Sequence, residues 1–131
     1  MKTEDFHKNC FACGIKSKYG LRLRFTLLDN EIITGKAKLT KHFQGYDGML
    51  QGGIISAILD SCMIHLFKMK YNLELKTAKL KICFRRPILI NKDILVEGSD
   101  IEMREGHFYK ANAKILIDKL VYAEAEGYFR K

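Results

Sequence analysis

Gly52-Gly53-Ile54-Ile55-Ser56-Ala57-Ile58-Leu59-Asp60-Ser61-Cys62-Met63-Ile64-His65-Leu66-Phe67 is the stretch that decides the fold. From Ile54 onward it is an apolar run too long for a strand, and it is apolar at nearly every helical angle. A helix that is hydrophobic all round has to be surrounded by protein. Asp60 and His65 break the run, which argues against a membrane span. The stretch therefore predicts one central buried helix, opened by the glycine pair.

The flanks supply the cover for that helix. Leu21, Leu23, Phe25 and Leu27 alternate with Arg22, Arg24 and Thr26, the period of a half-buried strand. Asp29-Asn30 turns the chain, and Ile33 to Leu39 returns with Ile33, Gly35, Ala37 and Leu39 on one face. A loop punctuated by Gly45, Gly48 and Gly52-Gly53 leads into the helix. After it, Ala78, Leu80, Ile82 and Phe84 alternate with Lys79, Lys81 and Cys83, and Pro87 closes that strand. Ile94 to Met103 and Phe108 to Ile117 form a hairpin across Arg104-Glu105-Gly106-His107, and Leu120 to Phe129 follows the Asp118-Lys119 turn. The order β-β-α-β-β-β-β predicts an α+β fold, a long central helix wrapped by a curved, largely antiparallel sheet. Residues 1–19 read as an irregular N-terminal leader and 20–131 as a single domain, since 131 residues hold one core.

The start, Met1-Lys2-Thr3-Glu4-Asp5, lacks the basic-then-apolar pattern of a secretory signal, so a cytoplasmic setting is expected. Net charge is +8, from 23 Lys and Arg against 15 Asp and Glu, which favours a polyanionic partner. No helix-turn-helix, zinc-finger or ribonucleoprotein pattern is present, so nucleic acid is not the expected one. Cys62 and Cys83 fall in apolar segments and read as core residues. Cys10-x-x-Cys13, with His7 three residues earlier, has metal-like spacing, but no second pair follows and no metal is expected.

Asp60 is the candidate with the strongest physical claim. A carboxylate in the most apolar segment costs several kcal/mol to desolvate unless it is paired or has work to do, and a structural role, bonded to Ser56 or capping a neighbouring strand, stays open beside a catalytic one. Ser56, at i−4, and Gly52-Gly53 beyond it extend a polar stripe toward the helix N-terminus. Unpaired N–H groups at that end could hold a developing oxyanion.

Asn9-Cys10-Phe11-Ala12-Cys13-Gly14, Gly20-Leu21-Arg22-Leu23, Gln44-Gly45-Tyr46-Asp47-Gly48 through Ile55, Leu59-Asp60 and Phe84-Arg85-Arg86-Pro87 together resemble the PaaI-like branch of the hotdog-fold thioesterases. The likeness runs over nearly the whole chain from Asn9. It implies hydrolysis of an acyl-CoA thioester by a homo-oligomer, dimer or tetramer, with coenzyme A entering as part of the substrate and no separate cofactor. It implies that the Gly52 N–H polarises the thioester carbonyl and that Asp60 is general base or nucleophile. Thr77 matches a strand hydroxyl that some members add. Gln51 stands where the family usually has His; it can orient substrate but cannot titrate. Gly53, Gln44 and Ser56 are further substrate contacts by this reading, and Arg85 and Arg86 are candidates for the coenzyme A phosphates, alongside Lys79 and Lys81. Two other readings stay open: a non-catalytic acyl-CoA-binding module, and a hotdog enoyl-CoA hydratase, suggested by Asp60-x4-His65. Five helical residues turn about 140°, so those two side chains diverge. His65 is expected to be a core histidine bonded to a backbone carbonyl.

Overall fold

The computed structural model describes residues 6–102 and 108–131; the first five residues and the expected Arg104-Glu105-Gly106-His107 turn lie outside them. The elements are β1 (Phe25–Leu28), β2 (Ile32–Lys38), a single 3-10 turn (Lys41–Phe43), α1 (Gly52–Tyr71), β3 (Lys76–Phe84), β4 (Asp93–Glu102), β5 (Tyr109–Ile117) and β6 (Leu120–Arg130). They form one antiparallel six-stranded sheet in the order β1-β2-β4-β5-β6-β3. The expected element order is the observed one. The chain leaves β2, crosses the sheet as α1, and enters the far edge as β3.

Close helix–sheet contact needs small residues beneath the helix. Ala111, Ala113, Ala123 and Ala125 line that face, with Ile33, Val96, Ile115 and Phe129 around them, all buried. At two points even a methyl group would crowd the helix. A Cβ on Gly98 would lie 3.0 Å from Cys62 Sγ, and one on Gly127 would lie 2.9 Å from Met63 Sδ. The helix side of this contact is Ile58, Leu59, Cys62, Met63 and Leu66, none of them exposed. On the opposite sheet face Glu97, Lys114 and Glu124 stand in register across β4, β5 and β6, opposite charges side by side, as a solvated face requires. By length and composition α1 could cross a membrane; here the sheet wraps it.

The Leu21–Leu27 alternation is real but is not all strand. Leu21, Leu23 and Phe25 are buried, yet pairing with β2 begins only at Phe25. Arg22 takes a positive φ of 52°, and the N–H groups of Leu21 and Leu23 donate to the carbonyls of Phe11 and Ala12 instead. The leader therefore has no helix or strand of its own among the described residues but is part of the core: Phe6, Ala12 and Cys13 are buried. Cys83 departs from expectation. It is exposed, because β3 is an edge strand and, among the described residues, no second layer covers the face carrying Cys83.

The C-terminal end of α1 is locked in two ways. Asn72 adopts the left-handed conformation, and its N–H closes the last turn on Lys68 and Phe67. Lys70 Nζ and the Tyr71 hydroxyl both donate to the Asp100 carboxylate on β4, at 2.8 and 2.6 Å.

Candidate active site

Asp60 and Thr77 meet. The Thr77 hydroxyl at the start of β3 donates to Asp60 Oδ1 at 2.6 Å. Burial pushes the Asp60 carboxyl above its ordinary value, while the Thr77 hydrogen bond and the charge of His7 pull against that rise. The result is a half-desolvated carboxylate oriented by one hydroxyl, a suitable state for a general base or nucleophile. Ser56 is not its partner: the Ser56 hydroxyl donates back to the Gly52 carbonyl at 2.8 Å, within the helix.

The glycine pair begins the helix as expected. Gln51 is the N-cap, and its Oε1 accepts the Ile54 N–H at 3.0 Å. No hydrogen bond among the described residues engages the N–H of Gly52 or Gly53. A Cβ on Gly53 would sit 2.7 Å from Gln51 Oε1, so glycine there protects the cap, whereas one on Gly52 would only touch Phe84 at 3.7 Å. Gln44 closes its own loop by accepting the Gly48 N–H at 3.0 Å. The carbonyl oxygens of Gln44 and Gln51 are thus engaged within the protein. Both side chains still line an open cavity of about 680 Å³ with Phe11, Tyr19, Phe43 and Ile54. That volume suits a small-molecule site. Phe11 and Tyr19 belong to the leader, where aromatic side chains in a segment without a period are the signal the sequence carries.

Asp60 does not line that cavity. It stands eight residues from Gly52 along one helix, about 12 Å at the rise of an α-helix. One carbonyl carbon cannot be within reach of both groups in the same chain. Arg85 and Arg86 lie beyond the other end of β3 from Thr77, exposed. Arg85 is paired with Glu124 at 2.5 Å, and Arg86 stacks over Tyr122 at 5.7 Å.

One expectation about histidine needs correction. His65 is not bonded to a backbone carbonyl: both ring nitrogens are buried with no hydrogen-bond partner among the described residues. It sits between Phe6 and Phe25, and burial first, then the neighbouring His7 and Arg24, push its pKa down to about 4. Cys10-x-x-Cys13 and His7, whose spacing is metal-like, do come together. The His7 ligand atom and the two sulfurs all lie within 4.8 Å of one another.

The architecture is the hotdog fold, shared with proteins of the thioesterase superfamily. One solved thioesterase superfamily protein superposes with a TM-score of 0.85 at 20% identity; the match covers 95% of this chain but only 61% of that protein. Escherichia coli PaaI, from the phenylacetic acid degradation operon, gives 0.76 at 12% identity over 85% of this chain and 84% of PaaI. A Streptococcus mutans protein solved bound to acetyl-CoA gives 0.73 at 13% identity over 82% and 86% of the two chains. No family model matches the chain. No curated protein matches it.

Proposed function

We propose that this chain is an acyl-CoA thioesterase whose catalytic site is assembled from two copies. The observation that carries the reading is Asp60, a partly desolvated carboxylate on the central helix held at 2.6 Å by Thr77. The acetyl-CoA bound to the Streptococcus mutans neighbour supports a coenzyme A thioester as the ligand class.

The two-copy site follows from β3. This strand pairs with β6 on one side only, and its other edge is free among the described residues. A long free edge invites pairing. Helix α1 runs against β3 with Gly52 beside Phe84 at one end and Asp60 beside Thr77 at the other. Two-fold pairing of β3 with a second β3 is antiparallel, so it sets the Thr77 end of one copy against the Phe84 end of the other. Asp60 of one chain then faces Gly52 of its partner, which removes the 12 Å difficulty. The Gly52 N–H of one subunit would hold the developing oxyanion. Asp60 of the other would either take a proton from the water that displaces the coenzyme A thiolate, or itself attack the carbonyl and expel that thiolate to leave a mixed anhydride that water then cleaves.

The hydratase reading loses support because His65 is enclosed by Phe6 and Phe25. Thiol release from aliphatic, aromatic and hydroxyaryl acyl-CoAs tests the proposal. Asp60→Asn should lower kcat by about 10²–10⁴-fold while binding of a non-hydrolysable analogue persists. Wild-type protein that binds acyl-CoA without turnover would make the chain a binding module.

A further inference from the structure

The segment from Phe6 to Gly14 is built as two successive tight turns. The Cys10 N–H donates to the His7 carbonyl and the Gly14 N–H to the Cys10 carbonyl, each at 2.8 Å. Any Cβ on Gly14 would lie 2.5 Å from Cys10 N and from Lys8 O, so only glycine allows this closure. The turns gather His7, Cys10 and Cys13, whose donor atoms all fall within 4.8 Å of each other. His7 Nδ1 and Cys13 Sγ are 3.8 Å apart. Nitrogen and sulfur ligands of one tetrahedral zinc ion are about 3.6 Å apart, from bond lengths near 2.1 and 2.3 Å. The separation present is within a few tenths of an ångström of that.

A fourth donor lies across from them on α1. His65 is 1% exposed, and neither ring nitrogen has a hydrogen-bond partner among the described residues. Buried polar groups are nearly always satisfied, so an orphaned imidazole calls for a partner. Its ring centre is 6.2 Å from that of His7. Two imidazoles on one tetrahedral zinc ion have ring centres about 5 Å apart, so the two rings would have to draw together by about an ångström.

We infer that His7, Cys10, Cys13 and His65 form a site for a zinc-like ion that fastens the N-terminal segment onto the central helix. Two thiolates and two imidazoles in tetrahedral array select zinc over hard cations. Two thiolates also cancel the charge of a divalent ion, so the half-buried cluster would carry no net charge. With all four positions filled by protein the role is structural. The inference stands apart from the thioesterase proposal, because none of its four residues is assigned to catalysis.

The test uses the full chain, purified under reducing conditions without a metal-affinity step. Elemental analysis should find one zinc per chain. Cobalt(II) added to chelator-stripped protein should give the ligand-field bands of a tetrahedral site with thiolate charge-transfer absorption. Chelation should lower Tm by about 5 °C or more. Cys10→Ser and Cys13→Ser should lose the charge-transfer bands. Should those variants fail to fold, wild-type protein still decides the matter: zinc should slow alkylation of Cys10 and Cys13, and a chelator should restore it. Reduced wild-type protein with no bound metal, no cobalt bands and no zinc protection would overturn the site. A Cys10–Cys13 disulfide persisting in the reduced preparation would also overturn it. A His65→Leu variant with wild-type cobalt bands and affinity would overturn the four-ligand set.

Discussion

Mixing two inactive variants tests the two-copy site directly. Gly52→Pro removes one N–H, and proline is well tolerated as the first residue of a helix, where φ is already suitable. The preceding residue, Gln51, has φ −69° and ψ 138°, the extended conformation that a following proline prefers. A Cβ at position 52 meets only Phe84, at 3.7 Å, so the ring is not obstructed at that atom. Loss of one oxyanion donor should reduce kcat by about 10²–10³-fold. Asp60→Asn should remove the base or nucleophile at a cost of about 10²–10⁴-fold. When the two variants are unfolded together and refolded at equal concentration, half of the dimers should be mixed. Each mixed dimer then contains one site built from an intact Gly52 and an intact Asp60, so activity should return to about a quarter of wild type per chain. The assay is thiol release after co-refolding, with each variant refolded alone as a control. If Gly52 and Asp60 act within one chain, mixed dimers contain no intact site. Co-refolded activity equal to the mean of the two variants, with light scattering showing dimers, would refute the reasoning.

Asp60 must be ionised to act and its pKa is raised, so kcat should climb with pH along an acidic limb and level off; Thr77→Ala removes a bond that holds the pKa down and should move the limb to higher pH. By the same sign, ionised Asp60 opposes folding above its unfolded pKa near 3.9, so the Tm of Asp60→Asn at neutral pH should equal or exceed that of wild type. Replacing both Arg85 and Arg86 by Ala should raise KM several-fold with kcat nearly unchanged, since phosphate contacts are shared by ground and transition states; unchanged KM would place the phosphates elsewhere. Burial pushes the Asp100 carboxyl up, but the hydrogen bonds from Lys70 and Tyr71 outweigh it and hold the pKa below its usual range. The stability this contributes is present above about pH 4 and lost as pH falls through the lowered value, and Asp100→Ala should cost about 1–3 kcal/mol in denaturant unfolding at pH 7.

What could be read from the sequence was whatever has a period. The alternation of strands and the all-round apolarity of Ile54 to Phe67 give the observed element order, because burial on a pleated sheet or around a helix imposes those repeats. The leader escaped because its burial has no period: Phe6, Ala12 and Cys13 are fixed by turns and by hydrogen bonds to the Leu21–Leu23 stretch. From sequence His65 reads as a satisfied core residue, because satisfaction depends on neighbours remote in sequence. What surrounds it is Phe6 and His7 from the leader and Phe25 from β1.

The candidate site shows the same division, with one part that sequence arithmetic already constrains. Gly52 and Asp60 are eight residues apart, and once the segment is a helix their separation is about 12 Å whatever the rest of the fold does. A reacting carbonyl needs an oxyanion donor and a base each within about 3 Å. If both residues act on one carbonyl, they cannot come from the same copy. The second copy is then required by the chemistry rather than added for stability. What the sequence could not supply is the direction of approach, and β3 supplies it. Thr77 marks the Asp60 end and Phe84 the Gly52 end of a single free edge. Antiparallel pairing of that edge with its own copy joins unlike ends twice over. A two-fold dimer through β3 would therefore make two complete sites from four incomplete halves, whereas a dimer through β1, the other edge of the sheet, would complete none.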